Sequence, residues 1–204
     1  MQAIGQKTFA IGVRASVVAI CAALVSSPAA ADSAERMKSG AGSTVRQGFA
    51  IAPVTLDLQG KNRALVGLGS YIVNAHAGCA DCHTSPAYAS GGDPFQGQPE
   101  QINTAGYMGG GASFGPVVSR NLTPDKNGLP GGASLEEFVE IMRTGVDPHQ
   151  AHPQLGPLLQ VMPWPVYQKM TDTDLRAIYE YLRAIPCVEG SPGLPDAQTA
   201  GRCG

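Results

Sequence analysis

The 204-residue sequence predicts an all-α domain in which long Gly- and Pro-rich loops wrap around a buried group that is not itself a side-chain core. Three observations predict it. Segments near 62–75, 134–145 and 171–185 carry apolar residues at helical spacing or helix-start signatures, and no β-α-β patterning is visible. Much of the glycine, 26 residues in all, lies between Gly91 and Gly132, and 16 prolines punctuate the chain. A helical protein with so long an irregular stretch needs something besides apolar side chains to organise it, and a buried cofactor would serve.

The chain opens on what reads as an address. Lys7 and Arg14 supply a positive region, Ala15 to Val25 is an apolar run too short to span a bilayer comfortably, and Ala29 to Ala31 is a small-residue site. Residues 1–31 are therefore read as a signal peptide cleaved after Ala31, with the periplasm as destination; an uncleaved N-terminal anchor is the alternative. Cys21 falls in this segment, preceded by Ile20 where a lipoprotein site would have a small residue. Of the 14 Lys and Arg against 16 Asp and Glu, only Lys7 and Arg14 are removed, so the mature chain is mildly acidic. Nothing resembles the clustered basic face of a nucleic-acid binder, and no transmembrane segment is expected in the mature chain.

Residues 32–60 show no sustained period and read as an arm or linker, with Phe49, Ile51, Val54, Leu56 and Leu58 able to lie along the body as an extended strap. Next, 62–75 has apolar residues at 65, 66, 68, 72 and 73, compatible with a helix of about three turns despite its two glycines. After His83 comes the loop region, within which Phe114 to Thr123 suggests short extended pieces. Ser134 with Glu137 three residues on is a capping box; Leu135, Phe138, Val139 and Met142 follow at helical spacing, and Gly145 is a natural stop. Residues 146–165 form another loop. Thr171, with Asp174 as capping partner, opens the last helix, where Leu175, Ile178, Tyr179 and Leu182 make an apolar stripe that Pro186 ends.

The chemistry sits at Cys79-Ala80-Asp81-Cys82-His83, a C-x-x-C-H signature for covalent haem attachment. Two thiols three positions apart in a tight turn can each add to a vinyl group of one porphyrin, and the adjacent imidazole then reaches the iron. A thioredoxin-like pair would want β-α-β patterning, and a zinc ribbon a second C-x-x-C; neither is seen. His76 reads as a helix-end histidine rather than a second ligand. For the sixth position the candidates are Met108, Met142, Met162, Met170, His149 and His152. Met162 is preferred, because Pro163, Trp164 and Pro165 stiffen its loop and a weak thioether ligand needs such a loop. Met142 and Met170 read as packing residues, Met108 lies in a glycine-rich tract, and His149 and His152 sit in a solvated loop. The glycines at 109–111 do not join a strand to a helix and are no nucleotide fingerprint.

CADCH, then SRNLTPD from Ser119 to Asp125, then the run from Met162 to Pro186, resemble class I cytochrome c domains. They are similar in particular to those in the cytochrome subunits of bacterial periplasmic dehydrogenases for alcohol and gluconate. The resemblance covers about residues 61–187. It implies a class I cytochrome c fold, one haem c held by Cys79 and Cys82, and His83 and Met162 as axial ligands. It implies that the first and last helices cross closely, with Gly67 and Tyr71 against Ile178 and Tyr181, and that Asn121, Thr123 and Trp164 help seat the haem propionates. Such subunits usually carry three haem motifs and a membrane tail, whereas one motif is present here, so a free-standing monohaem relative is expected.

Cys187 and Cys203 flank a tail, residues 188–204, and in an oxidising compartment are expected to pair, which would stabilise the fold by about 3 kcal/mol. The functional expectation is a non-enzymatic one-electron carrier, cycling between Fe(III) and Fe(II), whose redox partner is a dehydrogenase or respiratory-chain component. The main alternative is a haem enzyme or gas-binding sensor with an open or displaceable sixth position. A third is a structural haem subunit inside a larger dehydrogenase.

Overall fold

The computed structural model describes residues 28–149, 155–190 and 202–204, with side chains from residue 39 on. Most of the expected signal segment, residues 1–27, lies outside the described residues. The chain divides into two units, 1–36 and 37–204, and the core and the cysteine motif both belong to the second. Six α-helices are described: α1 (Pro28–Ile51), α2 (Arg63–Tyr71), α3 (Cys79–His83), α4 (Leu135–Thr144), α5 (Trp164–Tyr167) and α6 (Asp172–Ala184). A two-stranded antiparallel hairpin joins β1 (Ser113–Phe114) to β2 (Val117–Val118), overlapping the stretch expected to form short extended pieces. No described helix is long and apolar enough to cross a membrane.

The helix ends follow local chemistry. Asn62 starts α2 by accepting hydrogen bonds from the amides of Ala64 and Leu65 through its side chain. Ser134 and Glu137 form the capping box of α4, and Thr171 and Asp174 that of α6. Gly145 ends α4 in the left-handed region, where its φ is +73°. α6 closes at Ala184 because Pro186 cannot continue it. The stripe on α6 is the centre of the core: Leu175, Ile178 and Leu182 are all buried, together with Val66 and Val73 from the α2 region. Each such side chain contributes about 1.5–3 kcal/mol by leaving water.

α2 packs on α6 more extensively than any other pair of elements meets. The glycine at that crossing is Gly69, not the expected Gly67. A Cβ on Gly69 would stand 1.9 Å from the Ala177 carbonyl oxygen, so only hydrogen permits this approach. Gly67 faces the other way, toward Val45 and Phe49 of α1, and a Cβ on Gly48 would stand 1.8 Å from the Gly67 carbonyl. Ser70, fully buried, donates to the Gly48 carbonyl at 2.6 Å. Residues 37–51, read from sequence as part of an extended strap, are thus helical and are docked on α2 by a glycine-to-glycine approach. Beyond α1 the backbone amide of Asp57 bonds to the Ala184 carbonyl at the end of α6.

A buried polar knot lies near the crossing. The Tyr107 hydroxyl donates to Asn74 Oδ1 at 2.6 Å and sits 2.9 Å from the Tyr181 hydroxyl, while Asn74 Nδ2 donates to the Ser70 carbonyl. Burial first, then the Tyr181 hydroxyl, pushes the Tyr107 phenol far above its ordinary pKa, so both rings are neutral hydrogen-bonding struts.

Candidate functional site

After Tyr71 the helix widens into a π turn, Ile72–His76, and Gly78 takes a left-handed conformation that starts the single turn of α3. Cys79, Cys82 and His83 thereby fall on one turn and line one cavity of about 400 Å³. Cys79 and Cys82 are not bonded to each other. Burial pushes the Cys79 thiol up to about 12. The Cys82 thiol is also raised, by burial and then by the carboxylate of Asp81. A thioredoxin-like nucleophile needs the opposite shift. Among the described residues no group of three or more His, Cys, Asp or Glu is placed to hold a metal ion.

His83 is oriented by the backbone. Its Nδ1 lies 2.7 Å from the Arg120 carbonyl oxygen. A carbonyl can only accept, so Nδ1 carries the proton and Nε2 keeps its lone pair. Burial holds the imidazole pKa below its usual value and keeps the ring neutral, the form that ligates a metal. The surroundings are tightly laced. The Gly110 amide donates to the His83 carbonyl, the Met108 amide to Thr84 Oγ1, and the Leu122 amide to the Met108 carbonyl. Gly110, with φ +74°, permits this lacing, since a Cβ there would lie 2.5 Å from the Arg120 carbonyl carbon.

Three of the candidate methionines, Met108, Met142 and Met162, line the cavity. Met108 is fully buried in a left-handed backbone conformation, φ +59°, so the tract that looked loose in sequence is closely packed. Met142 is buried on α4, and Met170 packs at the core's edge without lining the cavity. Met162 is half-buried, and its carbonyl accepts from the Trp164 amide. Further along, the Tyr167 hydroxyl donates to the Ala77 carbonyl, just ahead of the cysteine motif. His76 is exposed and edge-on to Tyr71, with ring centroids 4.6 Å apart. His149 lies 3.9 Å from Glu137 and does not line the cavity, and His152 lies outside the described residues.

The residues expected to seat propionates are otherwise engaged. Asn121 Nδ2 donates to the carbonyls of Val188 and Gly190, its Oδ1 accepts from Thr123, and Thr123 Oγ1 accepts from the Val188 amide. Both therefore bind the chain after α6, which Cys187 and Cys203 tie down through a disulfide with an S–S distance of 2.05 Å. Trp164 lies against Gly145, where a Cβ would meet the ring at 2.4 Å, and does not line the cavity. The charged cavity residues are instead Asp81, Arg120 and Asp147. Sequence reasoning missed the last two because Arg120 acts through a backbone carbonyl, which carries no side-chain signature, and Asp147 looked like ordinary loop.

The donor set fits haem. Two unpaired thiols, a neutral imidazole with its Nδ1 proton committed, and thioether sulfur meet at a largely apolar cavity, the combination that covalent attachment and axial ligation require. Over about 60% of its length the chain is similar to the cytochrome subunits of bacterial dehydrogenases. It is 32% identical over 120 residues to the gluconate 2-dehydrogenase cytochrome c subunit of Pantoea cypripedii, covering 59% of this chain and 23% of that protein. It is 31% identical over 121 residues to the fructose dehydrogenase cytochrome subunit of Gluconobacter japonicus, 59% of this chain and 21% of that one. The alcohol dehydrogenase (quinone) cytochrome c subunit of Gluconobacter oxydans (strain 621H) is 29% identical over 126 residues, 60% and 22% respectively. The chain thus spans less than a quarter of the length of these relatives. No protein-family model matches it.

Proposed function

We propose that this chain is an exported, periplasmic monohaem cytochrome c that carries one electron at a time, with haem bound through Cys79 and Cys82 and His83 and Met162 as axial ligands. When bound, haem supplies a one-electron Fe(III)/Fe(II) couple. The observation that carries the reading is the convergence of the C-x-x-C-H turn and the Met162 loop on one apolar cavity, with His83 already held in its ligating tautomer. Met162 is chosen over Met108 and Met142 because its loop is stiffened by Pro163 and Pro165, and because Tyr167 ties that loop to the motif. His83 and the lacing around it would hold one ligand of the iron in a fixed orientation. Apolar walls exclude water, which limits reorganisation when charge changes.

The cavity reaches solvent at Phe114, Leu155, Leu158 and Val161, which line it and are exposed. That rim supports electron exchange with a partner protein, for which the relatives' names point to a dehydrogenase. Absorption spectroscopy of the matured protein tests the reading. The ferric form is expected to show the iron–thioether band, and the ferrous form to be unchanged on adding carbon monoxide. An immediate carbon monoxide shift in the wild type would replace the carrier reading with a ligand-binding haem protein.

A further inference from the structure

We infer that Arg120 and Asp147 form a clasp that holds the Met162 loop in register with His83, and so sets how readily an external ligand displaces the thioether. The inference rests on the carrier reading and concerns how its weaker axial bond is held.

Arg120 belongs to the His83 segment. Its carbonyl fixes Nδ1 of His83, and the segment is bound in turn through Gly111 and Ser119, joined by a backbone hydrogen bond across the hairpin. Asp147 belongs to the other segment. Its amide donates to the Pro157 carbonyl, the Leu159 amide returns to the Gly145 carbonyl, and the chain then runs on directly to Met162. Between them the guanidinium meets the carboxylate through both nitrogens, Nη2 to Oδ2 at 2.8 Å and Nη1 to Oδ1 at 3.3 Å. Asp147 Oδ1 also accepts from the His149 amide at 2.9 Å.

The pair is sheltered, with side-chain exposures of 20% for Arg120 and 9% for Asp147, and both residues line the cavity. A planar fork on a carboxylate fixes direction as well as distance, and in a sheltered place solvent screens it little. Removing one partner leaves the other charge uncompensated, which favours conformations that open this part of the structure to water. The chain leading into Met162 is the more open side, with Leu158 and Val161 each 42% exposed, and is the part that gives way. Arg120 and Asp147 are thus positioning residues, acting on the thioether through the loop rather than by touching it.

The test uses the ferric, haem-loaded protein with imidazole as probe. Asp147→Asn keeps the side-chain volume and an acceptor for the His149 amide, and Arg120→Gln removes the fork while leaving the carbonyl on His83. Each is expected to raise imidazole affinity by about ten-fold, as a ten-fold larger population with the thioether released would. The Arg120→Gln/Asp147→Asn double variant is expected to exceed neither single by much, as coupled partners require. Amide hydrogen exchange at Asp147 and Leu159 is expected to speed up in Asp147→Asn, a readout that does not pass through the iron. Wild-type imidazole affinity and wild-type exchange in Asp147→Asn, or additive effects of the two substitutions, would overturn the inference while leaving the carrier intact. A wild type without the thioether band overturns both.

Discussion

The two segments proposed to supply the axial side chains are built differently. Around His83 the backbone is laced on itself: the ring bonds to the Arg120 carbonyl, the His83 carbonyl to Gly110, and Thr84 is buried beneath. Around Met162 the chain is open, with Val161 42% and Val166 66% exposed, and order comes from two prolines, one turn of α5 and a few long-range bonds such as Tyr167 to Ala77. On the proposed assignment, one site would combine a firmly held ligand with a more exchangeable one. The imidazole is adjacent to the two proposed attachment cysteines and would need only orientation. The proposed thioether comes from far along the chain and would have to be held by the fold.

Exchanging the two sides' roles by mutation should give unequal outcomes. Cys79→Ser/Cys82→Ser is expected to abolish covalent haem incorporation, read as loss of haem stain on a denaturing gel. Met162→Ala is expected to retain haem, lose the ferric thioether band, and lower the reduction potential, since a Met/His pair raises it. Met108→Ala, by contrast, is expected to keep the band. If Met108→Ala loses it and Met162→Ala does not, the ligand assignment moves to the glycine-rich tract.

Smaller effects sharpen the comparison on stability alone. Cys187→Ser/Cys203→Ser, opening a loop of sequence separation 16, is expected to cost about 3 kcal/mol in denaturant unfolding. It should also loosen the Asn121–Thr123 anchor under the tail. Gly110→Ala, forced into a left-handed φ against the Arg120 backbone, is expected to cost ~1–3 kcal/mol and to disturb the His83 side first. Ser134→Ala removes the cap of α4 and is expected to cost about 1 kcal/mol without altering the spectrum.

What the sequence made legible was written in local patterns. The motif turn, both capping boxes, the α6 stripe and the paired cysteines each depend on residues a few positions apart or on a chemistry that only cysteine has. What it hid was set by distant contacts. Residues 37–51 are rich in small side chains and show no period, and their helix is stabilised where Gly48 meets Gly67, which no local window contains. Gly67 and Gly69 stand two apart on a short helix, and choosing which of them faces α6 requires knowing that α1 covers the other face. Asn121 and Thr123 looked free to meet a cofactor because residues 188–190, which take their hydrogen bonds, come 65 positions later or more.

Intact mass measured under denaturing, reducing conditions on protein matured with competent haem-attachment machinery tests the central claim most directly. The expected product is a polypeptide heavier by one haem, with the added mass lost in Cys79→Ser/Cys82→Ser. A colourless wild-type protein at the mass of its bare polypeptide would contradict it.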